Sequence, residues 1–440
     1  MISTYDSFGL IDRRSRASIS LDAARQVFEH GNPQPGSFLP FGNGKSYGDS
    51  CHNDHGTLVD MRGSDGLVSF DPQTGLLVAE AGILLSEILT IAAPLGYFLP
   101  VTPGTRFVTL GGAIANDVHG KNHHRRGTFG HHVERFDLLK SDGSVVPCSA
   151  AMNSGLFAAT IGGLGLTGII LSASIRLMKV TSLDVMERIQ AFASLDEYFD
   201  LAPQADIDNE YAVAWVDQLQ AGVSAGRGVL ITGNHADNGN FKVGTKASRL
   251  GVPFDLPVSA LNRPSLRLFN GAYYHLKGRK HEPHLCDYQT FFYPLDQISN
   301  WNRLYGRRGL YQHQSVIPEA QARLVIPQML AATREAGQNS FLTVLKRFGA
   351  ITSPGFMSFP RPGYTLTVDF PNRGTRTLAL LQRLDQMTVQ AGGRVNPYKD
   401  QRMGAAVFKA GFPAWRRLEK ERDPAFISNF WARTALSQEN

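Results

Sequence analysis

Residues 103–124 read PGTRFVTLGGAIANDVHGKNHH, a stretch that crowds small residues, a Gly-Gly pair and a tail of histidines together without helical or strand periodicity. Gly104, Gly111, Gly112 and Gly120 remove Cβ atoms where backbone must pass close to a bulky group, and they leave amide N–H groups free to face an anion. Thr105, Thr109, Asn116 and Asn122 offer side-chain hydrogen bonds beside them, while Val108, Leu110, Ile114 and Val118 can sandwich a flat ring. Such a loop suits a diphosphate carrying an aromatic head. A lone Gly-Gly pair is equally well a surface turn or a packing contact, so the neighbouring runs decide between the two.

Two such runs exist. Upstream, 40–49 (PFGNGKSYGD) places Gly42, Gly44, Ser46 and Gly48 in a turn able to form an anion nest, ahead of an expected strand over 57–61. It is no dinucleotide fingerprint, because Gly48 falls one residue late and no helix pattern follows; nor is it a P-loop, because no helix-opening G-K-[ST] ends it. Downstream, 161–170 (IGGLGLTGII) closes the set. Three Gly-rich apolar loops in one N-terminal block exceed what turn chemistry demands.

In this order the three runs resemble the flavin domain of the vanillyl-alcohol-oxidase (PCMH) type of FAD oxidoreductases, and more narrowly its polyprenylphosphoryl-ribose oxidases. The similarity continues through YAVAWVD, FFYPLD, WNRLYG, YQHQSVIP, SFLTVLKRFG, GYTLTVDFP and YKDQR, nearly the whole chain. The resemblance implies FAD held by Gly42, Asn43, Gly44, Lys45, Ser46, Tyr47 and Gly48 of the first loop. From the second it implies Pro103, Gly104, Thr105, Val108, Thr109, Gly111, Gly112, Ala115, Asn116, Val118, His119, Gly120 and Asn122; to these it adds Gly165, Gly168, Ile169, Ile170 and Lys399. It implies a substrate pocket lined by Trp215, Leu295, Gln312, Gln314, Lys346, Thr365 and Thr367.

The activity so implied is FAD-dependent oxidation of a sugar ring hydroxyl to a ketone, foremost the 2′-hydroxyl of a polyprenyl-phosphate ribose. That is the first half of an epimerisation to arabinose for cell-envelope polysaccharide, which a separate keto-sugar reductase completes. An aldonolactone or other soluble-sugar oxidase, and a non-catalytic flavin- or lipid-binding scaffold, are the alternatives. Three departures stand out. Lys45 occupies the position where several flavoenzymes of the superfamily bond FAD through a histidine, so the FAD is expected to be non-covalent; Thr367 replaces a cysteine, and Asn396 a tyrosine.

Because an isoalloxazine ring takes the hydride itself, the protein must place the alcohol and accept its hydroxyl proton. Lys399, Tyr398, Lys346, Tyr47 and His119 are the candidate acceptors, a lysine serving only if burial and neighbouring charge depress its pKa. Lys399 in YKDQR matches the family's flavin-proximal lysine and ranks first. His119, His123, His124, His131 and His132 invite a metal site, but no i, i+4 pair shares a helix face, no carboxylate or thiol sits at ligand spacing, and glycines interrupt the run. No metal is expected, and no G-x-S-x-G nucleophile elbow is present.

The 440 residues, 42% apolar and 19% charged, suit two or three ordinary cores. Strand and hairpin signals over 57–61, 67–70, 76–81, 133–140 and 167–179, with a helix over 87–94, point to an α+β fold with mostly antiparallel pieces. A FAD-binding part over 1–183, a substrate domain with an antiparallel sheet and flanking helices over 184–394, and a C-terminal return over 395–440 are expected. Three widely spaced cysteines, Cys51, Cys148 and Cys286, fit a reducing compartment. The first residues lack an apolar h-region, and no run reaches the ~20 apolar residues of a membrane span. Segment 241–281 holds eight Lys or Arg against one acid, a balance of +7 where the whole chain has +6. Its interspersed apolar residues suggest a mobile lid touching an anionic membrane or a lipid phosphate, with the protein peripheral on the cytoplasmic face. No nucleic-acid module is recognisable.

Overall fold

Ser20 caps α1 (Leu21–His30), its Oγ accepting from the Ala23 N–H at 3.2 Å, and the helix buries Leu21, Ala24 and Phe28. Because α1 carries the chain across, β1 (Ala17–Ser20), β2 (Phe38–Phe41) and β3 (Thr57–Asp60) form a parallel sheet of order β1-β3-β2. That sheet departs from the antiparallel expectation. Five later strands meet it: β4 (Leu67–Asp71), β5 (Leu76–Glu80), β6 (Val133–Leu139), β7 (Val145–Ser149) and β8 (Ile169–Arg176) make an antiparallel sheet of order β4-β5-β8-β6-β7. The computed structural model describes residues 5–31, 33–244, 250–257, 259–279 and 282–437.

The expected helix over 87–94 is α2 (Leu85–Ala92). The stretch 103–124 is not loop throughout: Leu110–Ala115 winds into α3, whose N-cap Thr109 accepts from the Gly112 N–H at 3.1 Å. Two adjacent glycines hide the helix from propensity. One has a packing cause, since a Cβ on Gly111 would meet the Ala81 Cβ at 3.0 Å. Leu110 and Ile114, expected to sandwich a ring, are instead fully buried in the core beneath α3.

The main sheet of the remaining chain, among the described residues, is antiparallel with eight strands. These are β9 (Val185–Phe192), β10 (Tyr211–Val216), β11 (Gly228–His235), β12 (His284–Cys286), β13 (Leu310–Ile317), β14 (Thr343–Phe348), β15 (Gly363–Pro371) and β16 (Arg394–Val395), in the order β12-β9-β11-β10-β14-β15-β13-β16. Side chains alternate between its faces. On one face Ala214, Val216, Leu345, Leu366, Val368 and Phe370 pack under α4 (Leu195–Asp208), α6 (Glu319–Glu335) and α7 (Thr375–Gln390). Each of the larger side chains contributes ~1.5 to 3 kcal/mol by burial. The opposite face carries cross-strand rows of another character: Gln312 across from Asp369, Gln314 across from Thr367, and Lys346 across from Thr365. Between β11 and β12 runs α5 (Arg263–Lys277), within the basic segment; Lys246, Arg249 and Lys280 of that segment lie outside the described residues.

The C-terminal residues pack back on the first part of the chain. The Tyr47 N–H donates to the Tyr398 carbonyl at 3.0 Å, the Phe38 N–H to Ala425 at 2.9 Å and the Asn429 N–H to His52 at 2.7 Å. Arg433 bridges Asp49 at 2.8 Å and Asp400 at 3.3 Å.

Asp117 ties the stretch 103–124 to the rest. It is fully buried at φ 41°, a left-handed conformation that Asp tolerates better than most residues. Its carboxylate accepts from the Gly130 N–H at 2.8 Å and from the Ser353 and Ser358 hydroxyls at 2.5 Å each. Hydrogen bonds to a charged group contribute ~1.5 to 3 kcal/mol apiece. Asp117→Ala is therefore expected to lower unfolding stability by roughly 3 kcal/mol or more, read from urea denaturation; a loss below about 1 kcal/mol would contradict this role.

Candidate active site

Between the glycine loops and the polar face of the large sheet lies a cavity of about 1390 Å³. Single-ligand pockets run ~300 to 1,000 Å³, so there is room for a cofactor and a substrate together. One wall is Gly42–Tyr47 with residues 102–109, Gly111, Gly112, Ala115, Asn116, Val118, His119, Gly120, Gly165, Gly168, Ile169 and Ile170. The other presents Trp215, Leu295, Gln312, Gln314, Lys346 and Thr367, and Lys399 enters from the C-terminal return.

Three residues expected at the ligand do not line this space. Gly48 faces Asp400, whose carbonyl oxygen would stand 1.6 Å from an added Cβ, so the glycine serves chain packing. Asn122 spends its amide on the Pro100 carbonyl at 2.8 Å and on Glu210 at 3.1 Å. Thr365 is fully buried and accepts from Gln314 Nε2 at 3.1 Å. Asn396, also buried, acts through Gln314 as well, donating to its Oε1 at 2.8 Å.

The residues present fit a flavin dinucleotide. Among the described residues no acceptor is found for the backbone N–H groups of Asn43, Gly44, Lys45 and Ser46, all on the cavity wall, which makes them an anion nest. Gly44 at φ +58° turns the loop, and its Cβ would strike the Asp6 carbonyl at 2.6 Å. At Gly104 a Cβ would meet nothing within 4 Å. Lys45 places a cation beside the nest, over the Phe8 ring at 5.8 Å and the Phe107 ring at 6.0 Å.

Hydrogen bonding narrows the candidate proton acceptors. Gln314 Nε2 donates to His119 Nε2 at 3.1 Å, which leaves Nδ1 to carry the proton toward Tyr398 Oη, also at 3.1 Å. Both ring nitrogens are thus committed, and burial holds His119 well below the usual histidine range, so it is neutral. As a proton acceptor His119 is corrected to a support of the wall. Tyr47 is corrected likewise, because burial pushes its phenol well above 10 and it stays protonated. Its ring instead carries Lys399, whose Nζ stands 4.0 Å from the ring centroid. Burial pulls Lys399 below the ordinary lysine value while Asp369 pulls it back up. Burial takes Lys346 down to about 7, helped by the charges of Lys121 and Lys399.

Sequence reasoning missed Lys121, which lines the cavity over the Phe291 ring at 4.5 Å and is lowered by burial to about 8. Its position inside HGKNHH was the available signal. Asp369, within GYTLTVDFP, stands behind the wall and accepts from Gln312 Nε2 at 2.6 Å. The histidines next to His119 disperse to separate partners: His124 bonds the Asn209 carbonyl, His131 that of Thr352 and His132 that of Arg126.

Among the described residues no reactive nucleophile is found at the first glycine loop. Lys45 occupies the position discussed above, and burial pushes the Cys51 thiol on the cavity wall up to about 12, leaving it un-ionised. Acid precipitation is accordingly expected to release the flavin into the supernatant; yellow colour surviving on a proteolytic peptide would contradict this.

A family model described as an FAD binding domain matches residues 23–149, which take in the first two glycine loops. The chain is 34% identical over 415 residues to the decaprenylphosphoryl-β-D-ribose oxidase of Mycolicibacterium smegmatis, across 90% of this chain and 88% of that one. It is 31% identical over 363 residues to an uncharacterized protein of Streptomyces coelicolor, across 78% of this chain and 97% of the relative. Similarity to the L-gulonolactone oxidase of Mus musculus is 25% over 190 residues, across 41% and 43%. With a matched FAD domain forming one wall of the cavity and likeness running on through the sheet that forms the other, the chain is an FAD-dependent oxidoreductase and belongs to the decaprenylphosphoryl-β-D-ribose oxidase family.

Proposed function

We propose that the enzyme oxidises the 2′-hydroxyl of a polyprenyl-phosphate ribose to the ketone, and that a separate reductase converts the keto sugar to the arabinose epimer for cell-envelope polysaccharide. The observation that carries the reading is that three lysines from separate parts of the chain, Lys346 of the sheet, Lys399 of the C-terminal return and Lys121 of the second glycine stretch, line one cavity with Gln312 and Gln314. The name of the Mycolicibacterium smegmatis relative supports the choice of sugar. FAD, when bound, supplies the hydride acceptor.

The chain supplies the rest. Gln314 is locked by Asn396, Thr365 and His119, so it meets a sugar hydroxyl in one fixed orientation. Lys399, clamped on Tyr47, takes the hydroxyl proton. Lys346 and Lys121 hold an anionic group, the substrate phosphate, in surroundings that desolvate their amines. General-base catalysis contributes ~10² to 10⁴-fold, so Lys399→Met should slow flavin reduction by that factor with FAD retained. Lys346→Met should raise KM more than it lowers the limiting rate. Since the Lys346 amine is charged below about 7 and neutral above, the wild-type KM should climb as pH rises past 7, and this climb should vanish in Lys346→Met. Rapid-mixing reduction across substrate concentration and pH reads all three. A wild-type rate in Lys399→Met would remove that residue from the mechanism, and equal reduction by soluble sugars would overturn the lipid-phosphate assignment.

A lipid-linked substrate requires approach to a membrane, and α5 suits that task. Phe269 and Tyr273 on its inner side line the cavity, and Asn270 ties it to the sheet through Asp217 at 2.8 Å. Outward it presents Leu268, Ala272 and Leu276 with Arg263, Arg267 and Arg279, and residues 263–279 contain no Asp or Glu. No helix among the described residues is long and apolar enough to cross a membrane, so docking is peripheral, on an anionic face. Each cation near such a surface contributes ~1 kcal/mol and is screened by salt. Reversing Arg263, Arg267 and Arg279 to Glu should weaken binding to phosphatidylserine vesicles at low salt at least ~10-fold with flavin content unchanged; undiminished binding would refute the docking face.

A further inference from the structure

Beside Lys346 the cavity wall turns from amine to hydrocarbon. Side chains two residues apart share one face of a strand, so Lys346, Val344 and Leu342 follow one another along the cavity side of β14 and the residue leading into it. The three span ~13 Å at ~3.3 Å per residue, while Leu345 between them packs into the core on the other face. Trp215 of β10 stands directly across from Val344. From Trp215 a row of rings continues, with Tyr273 of α5 at 4.7 Å between centroids, then Phe269 at 5.8 Å, then Phe341 at 5.2 Å. Phe341 adjoins Leu342 in the chain, so the row closes on the strand where it began. The result is a circuit of six apolar side chains, every one of which lines the cavity, with the Lys346 amine next to it. Phe269 and Tyr273 border a second space as well: with Ala272, Leu276 and Lys277 they line a hollow of about 320 Å³ on α5. Phe269 remains 40% exposed and Leu276 65%. Contiguous apolar surface left open in this way marks a place where something apolar binds.

We propose that this circuit seats the lipid tail of the substrate: the phosphate stays at Lys346, the first isoprene units lie against Val344, Leu342 and the four rings, and the chain leaves past Phe269 and Tyr273 over the outer hollow of α5. This rests on the reading of the substrate as a lipid-linked phosphate. The order of the groups along the path selects the occupant. An amine comes first, then a stretch of hydrocarbon and aromatic surface, then the apolar and basic side of α5 that faces a membrane. A soluble sugar phosphate satisfies the first of these alone, and an acyl chain of the bilayer satisfies the last two without the first. A polyprenyl phosphate meets all three in sequence. The rings recognise length and apolar character, since what they offer is area withdrawn from water, while Lys346 recognises charge. Tail and headgroup are thus held by separate parts of one wall.

Isoprenyl monophosphates of one, two, three and four units carry the anion and the tail without the oxidisable sugar, so they test the seat apart from the reaction. Titrated by calorimetry into the FAD-loaded full chain, without vesicles and below their micelle concentrations, they should bind more tightly with each of the first added units. Burying one CH₂ is worth about fourfold, so a unit covered on one side only should still lower Kd at least ~5-fold. The heat-capacity change should grow more negative with each of those steps, and both trends should level off once the chain has passed Phe269. Phe269→Ala and Tyr273→Ala should each cut the advantage of three units over one at least ~10-fold. Tyr273→Phe keeps the ring and should keep the advantage. Equal Kd values for one and three units, or an advantage that survives both alanine changes, would overturn the seat. Should the alanine variants fail to accumulate as folded flavoprotein, the wild-type series decides by itself, a flat series overturning the proposal. Flavin reduction by phosphoryl riboses of the same tail lengths separates this inference from the reading beneath it. Reduction by the tailed riboses together with a flat binding series would overturn the seat and leave the oxidation standing. A steep binding series with no reduction by any of them would overturn the oxidation and leave the tail seat.

Discussion

The hydrogen bond from the Tyr47 N–H to the Tyr398 carbonyl, 3.0 Å long, joins the first glycine loop to a turn about 350 residues later in the chain. Around it the contact is too close for a side chain, as Gly48 against the Asp400 carbonyl demonstrates. This seam sets the candidate site. It brings Lys399 onto the Tyr47 ring and Arg433 onto Asp49 and Asp400, so that the end of the chain closes a cavity whose two main walls come from elsewhere. A loop at 42–48 with no C-terminal turn against it would offer an anion nest and no amine.

Desolvation is the second constraint. Three of the ionisable groups at the cavity are displaced by it in the direction that removes charge: Lys346 to about 7, Lys121 to about 8, and the Tyr47 phenol upward. The lysines therefore sit where a proton is exchangeable near neutral pH, while the phenol and the fully hydrogen-bonded His119 do not. Chemistry is divided by environment among residues that the sequence presents as equals.

The eight-stranded sheet makes that environment possible by having two unlike faces. Leu345, Leu366, Val368 and Phe370 anchor it to helices on one side. This frees the residues between them in sequence, Lys346, Thr365, Thr367 and Asp369, to face the cavity side as a rigid polar array. A slip of one residue in register would exchange the two sets and destroy the core and the site together. The outer side of α5 adds a third surface, apolar and basic, at the edge of the same cavity.

Much of this was legible in the sequence because glycine and alternation are local signals. The three glycine runs announced a ligand-hugging wall, and strands such as 211–216 and 133–139 follow from β-branched and aromatic residues between turn signals. Likeness to a family carried the reading further, to Lys399, Lys346 and the glutamines. Other features were not legible. The helix α3 was hidden by its own glycines, whose reason is the closeness of Ala81. Gly48, Asn122 and Thr365 share motifs with true wall residues, and nothing local distinguishes a side chain that faces the cavity from one that supports its neighbour. The seating of Lys399 on the Tyr47 ring, and the disarming of His119 by Gln314 and Tyr398, join residues far apart in the chain. The sequence by itself thus determined the fold class and the kind of ligand, since backbone conformation and side-chain alternation are written residue by residue. Only the tertiary structure decided which titratable groups are poised to move a proton, because burial and charge pairing belong to the assembled molecule.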